Sequence, residues 1–554
     1  MSNHVKDRQI LTLFYILFTL ILFTKPLIAK GEISVISNTI SQEQQDEKHI
    51  VLINKKSAFA SQLCQPNTVY VIRFNIDLKD SDGKRSITIP PGCILKFEGG
   101  SINNGLLVGN NTRVDSRRRK IFGDNLLLSG TWDAQEAYPE WFGAKGNAKI
   151  DNTIAFQNVI NFFPLIVLRP ETYVCNSEVF VGSNRTIIGN NTRIRCKDEG
   201  HNQFVVNGNK TSFKGITFEN VAKGYPKYGY DNGGVNSTNL VYKSNIEGIT
   251  IGDCTFKNAI CGIYVHSACK DIVIKGCVFD GFKSLPNNHA STTTQCAGGY
   301  GICLDADNSD LQDIDNIYSV TISNCTFRNI QRHCLYIQCV YNINVEQCYF
   351  YANRNIVHPT PYDAVMMIYN TVGLRVTNNE FHDALEAMHL EKIGKLPYNP
   401  NDLKDIIING NLFSNCGDEI GENGVIGADY GDDICITNNS FVNVRGQMGA
   451  IIGLNHNNNV SIINNYCDIS KDCPMNSNVV KYNSSDIYNV SLVGNKVDFT
   501  NTRKNYDKLI YTEFRADGLE VRDNDIINGN DGNLIMVPNI KNKNISRNKQ
   551  VMKR

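Results

Sequence analysis

The sequence has no excess of charge of either sign. Its 55 lysine and arginine residues are matched by 55 aspartate and glutamate residues, so the formal net charge at pH 7 is zero. Beyond the basic run at residues 117–120 it has no block of like charges. A protein that binds nucleic acid needs a basic face to neutralise phosphates. We therefore expect no nucleic-acid partner.

Zinc-type cysteine spacing is also missing, although the chain has 18 cysteines. No two of them form a C-x-x-C pair, which argues against a structural zinc site. For an exported chain, so many cysteines raise the alternative of a disulfide framework. Several cysteines, however, recur at positions that a repeat would turn inward, where cysteine acts as a small apolar residue. We predict mostly free, buried thiols.

Long apolar runs are confined to the N-terminus. Residues 10–23 are mostly apolar, Lys6 and Arg8 precede them, and Ala29 closes a plausible cleavage site. This pattern predicts a secretory signal over residues 1–29, with a membrane anchor as the alternative. No cysteine lies directly after the run, which disfavours a lipid-anchored protein. We expect a secreted, periplasmic or cell-surface protein with no membrane span after cleavage.

Helical periodicity is rare, and a β-type repeat takes its place. In residues 262–279 two short runs alternate apolar and polar residues, a turn separates them, and Gly-Cys-x-Phe ends the unit. Period-two alternation is typical of half-buried strands. Related units recur along the chain, mostly at intervals of 23 to 32 residues. No unit contains a ten-residue helical pattern, which excludes ankyrin, tetratricopeptide and HEAT-like repeats and predicts a stacked β coil.

Stacking would bring equivalent positions of successive coils about 4.8 Å apart, so that like residues form internal ladders. The predicted aromatic ladder comprises Phe256, Phe279, Phe327, Phe350, Phe381, Phe413 and Phe441. The predicted amide ladder lies at a turn where asparagine tolerates a left-handed backbone, and comprises Asn379, Asn411, Asn439, Asn465, Asn495 and Asn524. Nearer the N-terminus the same positions are occupied by Cys254, Cys277, Cys325 and Cys348.

Three further segments carry a resemblance to a known family. Residues 140–146 read Glu-Trp-Phe-Gly-Ala-Lys-Gly, residues 151–157 start with Asp-Asn-Thr, and residues 168–173 read Leu-Arg-Pro-Glu-Thr-Tyr. With the repeat, they resemble the right-handed parallel β-helix proteins of the pectate-lyase-like superfamily, which includes many polysaccharide enzymes. The chain departs from the usual motif where Asn-Ala replaces Asp-Gly and Glu171 replaces glycine. Residues 91–105 resemble the first coils of secreted β-helix proteins from gut Bacteroidetes.

The resemblance implies an all-β fold, a right-handed parallel β-helix built as a solenoid of three-strand coils. We divide the chain into a signal peptide, an N-terminal β-rich region with the first coils, the β-helix and a C-terminal tail, at residues 1–29, 30–138, 139–540 and 541–554. One helix is predicted over residues 151–163, with Asp151 as its N-cap and Ile154 on its apolar face. We expect this helix to cover the open end of the coil stack.

The strand after the phenylalanine ladder in each coil carries alternating outward side chains. Our alignment of these strands places eight residues on one outer face: Tyr264, His266, Asp305, Tyr336, Gln338, Met366, His389 and Glu391. Flanking turns add Asp307, His333, Asp363, Glu386 and Lys392. Aromatic rings stack on sugars, while carboxylates bind hydroxyls or perform acid–base work. We predict an extended glycan site, with substrate bound by Tyr264, His266, Gln338 and Lys392.

Two reactions fit this face. In a hydrolase, one carboxyl group protonates the leaving oxygen while another activates water or attacks the sugar. The candidates for that pair are Asp305, Asp363 and Glu391. The Gly-His-Gly signature of polygalacturonase-type enzymes is missing, which disfavours that subfamily.

In a lyase, a base removes the proton beside a uronate carboxylate, and a cation stabilises the enolate. His389 or His333 is the candidate base and Tyr336 the candidate acid. Lys392 or Ca²⁺ is the candidate that neutralises the enolate.

An acidic loop at residues 305–315 offers carboxylate oxygens of the kind that Ca²⁺ prefers. Asp305, Asp307 and Asp310 are its candidate ligands. The loop lacks the glycine that an EF-hand needs at its sixth position, so a solvated acidic turn is the competing interpretation.

Together these features predict an exported carbohydrate-active enzyme, acting as a monomer, that cleaves an acidic or complex polysaccharide. A polysaccharide lyase and a glycoside hydrolase both remain open. The alternative is a non-catalytic, glycan-binding or adhesin-like β-helix surface protein.

Overall fold

The computed structural model describes most of the chain beyond the N-terminus. The described residues are 49–80, 85–197, 202–220, 238–283, 299–306, 316–352, 364–393, 403–417, 424–445, 450–470, 478–484, 487–501, 508–528 and 535–551. The predicted signal at residues 1–29 lies outside them. No helix among these residues is long and apolar enough to cross a membrane.

The first part of the chain forms a small stack of parallel strands. Six strands make one sheet: Ile50–Leu52, Val69–Ile72, Ser86–Thr88, Ile94–Phe97, Gly105–Ser116 and Leu126–Asp133. Asn75–Asp77 and Ser101–Asn103 form a separate parallel pair. Short helical turns span Phe59–Gln62, Leu78–Asp80 and Pro139–Phe142.

The rest of the chain forms one long stack in which each coil contributes a strand to each of three columns. The first coils begin with Asn147–Asp151, Leu165–Val167 and Thr172–Val174. Two long strands follow, Arg185–Cys196 and Thr211–Asn220, and each occupies the places of two columns: Thr211–Asn220 pairs with both Glu247–Gly252 and Thr255–Lys257, the next strands of columns A and B. Each later strand pairs in parallel with its equivalent in the next coil, which is the defining feature of a parallel β-helix.

Column A continues with Glu247–Gly252, Lys270–Lys275, Ile317–Ser323, Val340–Glu346, Val372–Thr377, Leu403–Asn409, Gly431–Thr437, Asn458–Ile463, Tyr488–Val493, Ala516–Arg522 and Ile540–Ser546. Column B continues with Thr255–Lys257, Val278–Phe282, Thr326–Ile330, Tyr349–Tyr351, Glu380–His382, Leu412–Ser414, Ser440–Val444, Tyr466–Ile469, Lys496–Asp498, Asp525–Ile527 and Lys549–Val551.

Column C comprises Val179–Val181, Phe204–Val206, Thr238–Tyr242, Cys261–Val265, Tyr300–Asp305, Leu335–Gln338, Met366–Tyr369, Met388–Glu391, Ile426–Asp429, Ala450–Asn455, Asn478–Tyr482, Lys508–Tyr511 and Ile535–Met536. The predicted all-β fold, a right-handed parallel β-helix of three-strand coils, is confirmed.

The aromatic ladder lies in the core as predicted. Its seven rings, preceded by Phe218, stack nearly parallel, with centroids 4.7–5.2 Å apart and interplanar angles of 5–14°. Every ring is buried. Because neighbouring rings sit one strand spacing apart, a phenylalanine in each coil fills the core without leaving a gap.

The amide ladder is also present, with one correction to its backbone. Asn439 donates from Nδ2 to the Ile408 carbonyl at 2.9 Å and to Asn465 Oδ1 at 3.0 Å, and the pattern repeats from Asn379 to Asn524. The ladder residues do not have positive φ. The left-handed residue is the one before each of them, as at Asn438 with φ of 54°.

The predicted helix spans Thr153–Phe162, and Asn152 is its N-cap. The prediction that Asp151 is the N-cap was wrong by one residue, although its Oδ1 accepts a hydrogen bond from the Thr153 N–H at 3.0 Å. Ile154 was also wrongly placed on the buried face, since it is 78% exposed. The helix packs against Val179–Val181 at the start of column C and against Leu126–Asp133 of the first stack, so it lies between the two.

The cysteines behave as small core residues. All sixteen cysteines within the described ranges are free, and all of these except Cys64 and Cys435 are buried. The Cys277 and Cys348 thiols donate to backbone carbonyls two residues earlier. The prediction of free, buried thiols is therefore confirmed for the part of the chain that the structure describes.

Candidate functional site

Two rows of side chains run along the outer face of column C. Row 1 joins residues that pair in successive strands: Val241, Tyr264, Cys303, Tyr336, Met367, His389, Gly427, Gly453, Lys481 and Tyr511. Row 2 runs beside it through Asp305, Gln338, Tyr369, Glu391, Asp429 and Asn455. Each step along a row is one strand spacing, about 4.8 Å.

The predicted alignment of these strands was wrong by one residue in a single coil. Met367, not Met366, pairs with Tyr336 and His389, and Met366 lies in the core. The slip exchanges outward for inward positions along that strand. It also reveals Tyr369 as the member of row 2 between Gln338 and Glu391.

The upstream end of the rows is a largely buried aromatic cluster. Tyr264 donates from its hydroxyl to Asp305 Oδ2 at 2.6 Å. Tyr264 and Tyr300 are buried, and with Cys303 they belong to an apolar cluster separate from the main core. Tyr336 packs against this cluster. Tyr264 and Asp305 are therefore held together, although Tyr264 offers little surface to a ligand.

His333 and Tyr336 lie together in the next coil. The His333 ring stacks on Tyr300 with centroids 5.5 Å apart and lies 5.9 Å from the Tyr336 ring. Its Nδ1 lies 2.6 Å from the Ala364 carbonyl oxygen, so Nδ1 carries a proton and donates it there. The Tyr336 hydroxyl donates to Gln338 Oε1 at 2.5 Å. His333 is only 1% exposed, which places it beneath the surface rather than on it.

His266 is buried at the edge of this cluster. Burial, assisted by the positive charge of Lys243, lowers its pKa to about 4, so the ring is neutral at pH 7. Its Nε2 has no hydrogen-bond partner among the described residues. Its ring lies 4.6 Å from that of Tyr264. The predicted substrate-binding pair Tyr264 and His266 is thus close together but enclosed.

The downstream end is a histidine surrounded by carboxylates. His389 Nδ1 lies 3.0 Å from Glu386 Oε1. Its Nε2 lies 3.6 Å from Glu391 Oε2 and 3.9 Å from Asp429 Oδ2. Glu391 and Asp429 come from adjacent strands, where they pair directly in row 2. The imidazole therefore joins carboxylates of two successive coils.

The surrounding charges decide the protonation of this cluster. Burial alone would lower the pKa of His389, but the hydrogen bond to Glu386 and the negative charges of Glu386, Glu391 and Asp429 raise it to about 10. His389 is therefore an imidazolium at neutral pH. Burial raises the pKa of Asp429 above its usual value, although the positive charge of His389 acts against this shift. The paired carboxyl groups of Glu391 and Asp429 also differ in exposure, since their side chains are 36% and 18% exposed.

The predicted site residues do not form one cluster. Three strand spacings, about 14 Å, separate Asp305 from Glu391 along row 2, so they do not act on the same bond. Lys392 follows Glu391 and donates its backbone N–H to the Asp429 carbonyl at 3.0 Å. Asp307, Asp310 and Asp363 lie outside the described residues, so the calcium loop stays a prediction. Among the residues that the structure does describe, no group of three or more histidine, cysteine and carboxylate side chains has the geometry to hold a metal ion.

Asp429 was missed in the sequence analysis. Glu386 was assigned only to a flanking turn, yet it is the hydrogen-bond partner of His389 Nδ1. The signal for Asp429 was its position: a carboxylate in the same row as Glu391, one coil later. The signal for Glu386 was its spacing of three residues from His389.

Comparisons with known proteins give structural likenesses only. The catalytic unit of a GH87 α-1,3-glucanase from Streptomyces thermodiastaticus is 13% identical, with a TM-score of 0.46 over 70% of this chain and 68% of that one. PfbA, a surface adhesin of Streptococcus pneumoniae, is 14% identical, with a TM-score of 0.43 over 75% and 93%. The periplasmic alginate epimerase AlgG is 9% identical, with a TM-score of 0.41 over 69% and 78%.

No protein-family model and no curated protein matches the chain. The structural likenesses are too low in identity and TM-score to carry an activity from one protein to another, and one fold hosts many functions. The functional argument therefore depends on the geometry of the two rows.

Proposed function

We propose that this protein is a carbohydrate-active enzyme that hydrolyses glycosidic bonds of a polysaccharide, with Glu391 and Asp429 as its carboxyl pair. The observation that supports this most is the pairing of the two residues on adjacent strands around the protonated His389. A glycoside hydrolase needs one carboxyl group that keeps its proton and a second that is ionised.

Asp429 suits the role of proton donor. Its raised pKa, caused by burial, keeps a larger fraction of the acid form at a given pH. Glu391, 36% exposed on its side chain, then acts as the base for water or as the nucleophile. His389 holds the pair in place and balances the negative charge that accumulates between them. A one-strand spacing of about 4.8 Å resembles the carboxyl separation of retaining enzymes more than that of inverting ones.

The same geometry argues against the lyase mechanism with His389 as base. A histidine with a pKa of about 10 is protonated at neutral pH and has no free lone pair with which to accept a proton. His333 is the other candidate base, but it is 1% exposed and would need the cluster to open before it met a substrate. Hydrolysis is therefore the reaction that this site favours.

The test is to incubate purified protein with a panel of neutral and acidic polysaccharides. New reducing ends report hydrolysis, and ultraviolet absorbance of unsaturated uronate reports a lyase. We expect reducing ends only, with Glu391→Gln and Asp429→Asn each lowering the rate by about a hundredfold or more. Asp305→Asn is the matched control, because it changes a carboxylate of the same row three coils away. Full activity in both site variants would refute the proposal.

A second candidate is a non-catalytic glycan-binding surface protein. It is favoured by the exposed tyrosines on column B, away from the charged cluster, Tyr349 and Tyr351. Binding to a glycan of the panel without new reducing ends would support it.

In either case we propose export by residues 1–29, which N-terminal sequencing of the mature protein would test.

A further inference from the structure

A hollow with aromatic walls lies at the corner between columns C and A, directly after row 2. It is a shallow, open depression of about 450 Å³, lined by Tyr430, His456, Asn457, Asn458 and Tyr488. Tyr430 follows Asp429 in the chain, and His456 follows Asn455, the next member of row 2. The hollow therefore adjoins the proposed carboxyl pair, one residue beyond it along the chain.

Two tyrosine rings in this hollow remain open to solvent. Tyr430 is 50% exposed and Tyr488 is 46% exposed. The Tyr430 ring stacks on His456 with centroids 4.5 Å apart and an interplanar angle of 9°. The stack holds Tyr430 in one orientation, so a ligand that packs on its free surface does not have to order it first.

The aromatic residues also occupy unusual backbone positions. Tyr430 has φ of 60° and His456 has φ of 52°, both in the left-handed region. Among the described non-glycine residues with positive φ, most are asparagine or aspartate, and these two are the only aromatic ones. A bulky side chain is disfavoured there, so the rings stand where asparagine would fit with less strain. Asn370 occupies the corresponding corner after Tyr369.

Polar side chains border the two exposed rings. His456 and Asn458 line the hollow beside Tyr430 and Tyr488. Asn457 lies beneath them at 0% exposure, and its Oδ1 accepts from the Asn455 backbone N–H at 2.7 Å. Exposed aromatic rings with polar groups beside them suit a sugar ring, since it has an apolar face and a hydroxyl edge.

The charges near the hollow indicate which sugar it takes. Asn458 and Asn459 donate to Asp432 Oδ1 at 3.0 and 3.1 Å, and Asn459 also donates to Asp433 Oδ1 at 3.1 Å. Lys404 lies 3.9 Å from Asp432 Oδ2 and 3.7 Å from Asp433 Oδ2, so two carboxylates share one cation. A uronate carboxylate placed here would meet this excess of negative charge, which disfavours it.

We infer that the hollow is a subsite for an uncharged pyranose ring of the same glycan that the carboxyl pair cleaves, an inference that rests on the proposed hydrolysis. The ring packs on Tyr430 and Tyr488. The substrate class is accordingly a neutral polysaccharide.

The experiment uses the full-length Glu391→Gln protein, so that bound glycan is not consumed. Binding is measured to an array of neutral oligosaccharides, from glucans, xylans, mannans and galactans, and of uronates, from polygalacturonate, alginate and hyaluronan. Tyr430→Asn and Tyr488→Ala are added singly. Asparagine is chosen because it accepts the left-handed backbone. Tyr318→Ala is the matched control: it is 40% exposed and stacks on Tyr341, outside the hollow.

We expect binding to at least one neutral glycan, weakened about tenfold by each hollow variant and less than about twofold by the control. Affinity that is unchanged in the hollow variants, binding to uronates alone, or no binding at all overturns the subsite. The same two substitutions are also made singly in the parent enzyme. If neither slows hydrolysis, the subsite is overturned, while the proposed function is left intact. If binding depends on the two tyrosines but the parent enzyme cleaves no glycan, the proposed hydrolytic function is refuted and the binding site remains.

Discussion

His389 should titrate far above the ordinary histidine range, and this can be measured directly. Its pKa of about 10, against an ordinary value of 6.5, follows from three carboxylates around a ring whose side chain is only 12% exposed. With histidine labelled at Cε1, the protein should give one resonance that stays in the imidazolium position from pH 6 to about 9. The His389→Gln variant lacks that resonance and so assigns it among the ten histidines.

The same shift predicts how stability depends on pH. A folded-state pKa raised above the unfolded value adds stability that is complete below about 6.5 and lost as pH rises toward about 10. In that interval the folded state holds a proton that the unfolded state has released. Each pH unit then removes up to about 1.4 kcal/mol, so raising the pH from 7 to 9 should cost roughly 2–3 kcal/mol of unfolding free energy.

The His389→Gln variant isolates this effect. Buried cysteines and tyrosines also destabilise the fold at alkaline pH, but they do so equally in both proteins. Urea unfolding at pH 7 and pH 9 should therefore show the advantage of the parent protein over the variant shrinking by roughly 2 kcal/mol. A constant advantage across these pH values, together with a titration midpoint near 6.5, would refute the protonated cluster and return His389 to the list of candidate bases.

Three further predictions concern the ladders, the thiols and the proton donor. Asn439→Ala should lower the unfolding free energy by about 2–4 kcal/mol because it leaves buried ladder partners unsatisfied, whereas Asn548→Ala at the half-buried end of the ladder should cost less, as urea unfolding would show. Alkylation of native protein, read by peptide mass spectrometry, should modify Cys64 first among the described cysteines; rapid modification of the buried ones would contradict the packing. Activity should fall as pH rises through the raised pKa of Asp429, and a pH–rate profile without that limb would exclude it as proton donor.

The fold was predictable because stacking imposes the same packing and hydrogen-bonding requirements on every coil. A phenylalanine such as Phe327 must fit between Phe279 and Phe350, and an asparagine such as Asn439 must bond its neighbours in two coils. Each requirement leaves the same residue type at a recurring position. Those positions are readable without knowing the length of the segments between them, which is why irregular intervals did not hide the β-helix.

The outer face was less predictable because its residues do not repeat. In residues 364–368 two methionines stand side by side, and nothing in their chemistry tells which faces the core; Met366 was wrongly placed outward. The prediction that Ile154 is buried was wrong for a related reason. A short helix between two stacks buries only a narrow stripe around Phe156 and Val159. Periodicity in the sequence shows that a strand or helix has a buried face, but the tertiary contacts determine which residues lie on that face.

Choosing site residues by type alone also concealed the distance between them. Asp305 and Glu391 are both outward carboxylates, yet three strand spacings separate them, so they fall into two clusters with different partners. Carboxyl groups three coils apart are too distant to act on one glycosidic bond. Besides Glu386 of its own coil, the carboxylate near Glu391 is Asp429, which the following coil supplies. The charge of His389 depends on the same adjacency, because two of its carboxylates come from its own coil and the third from the next one.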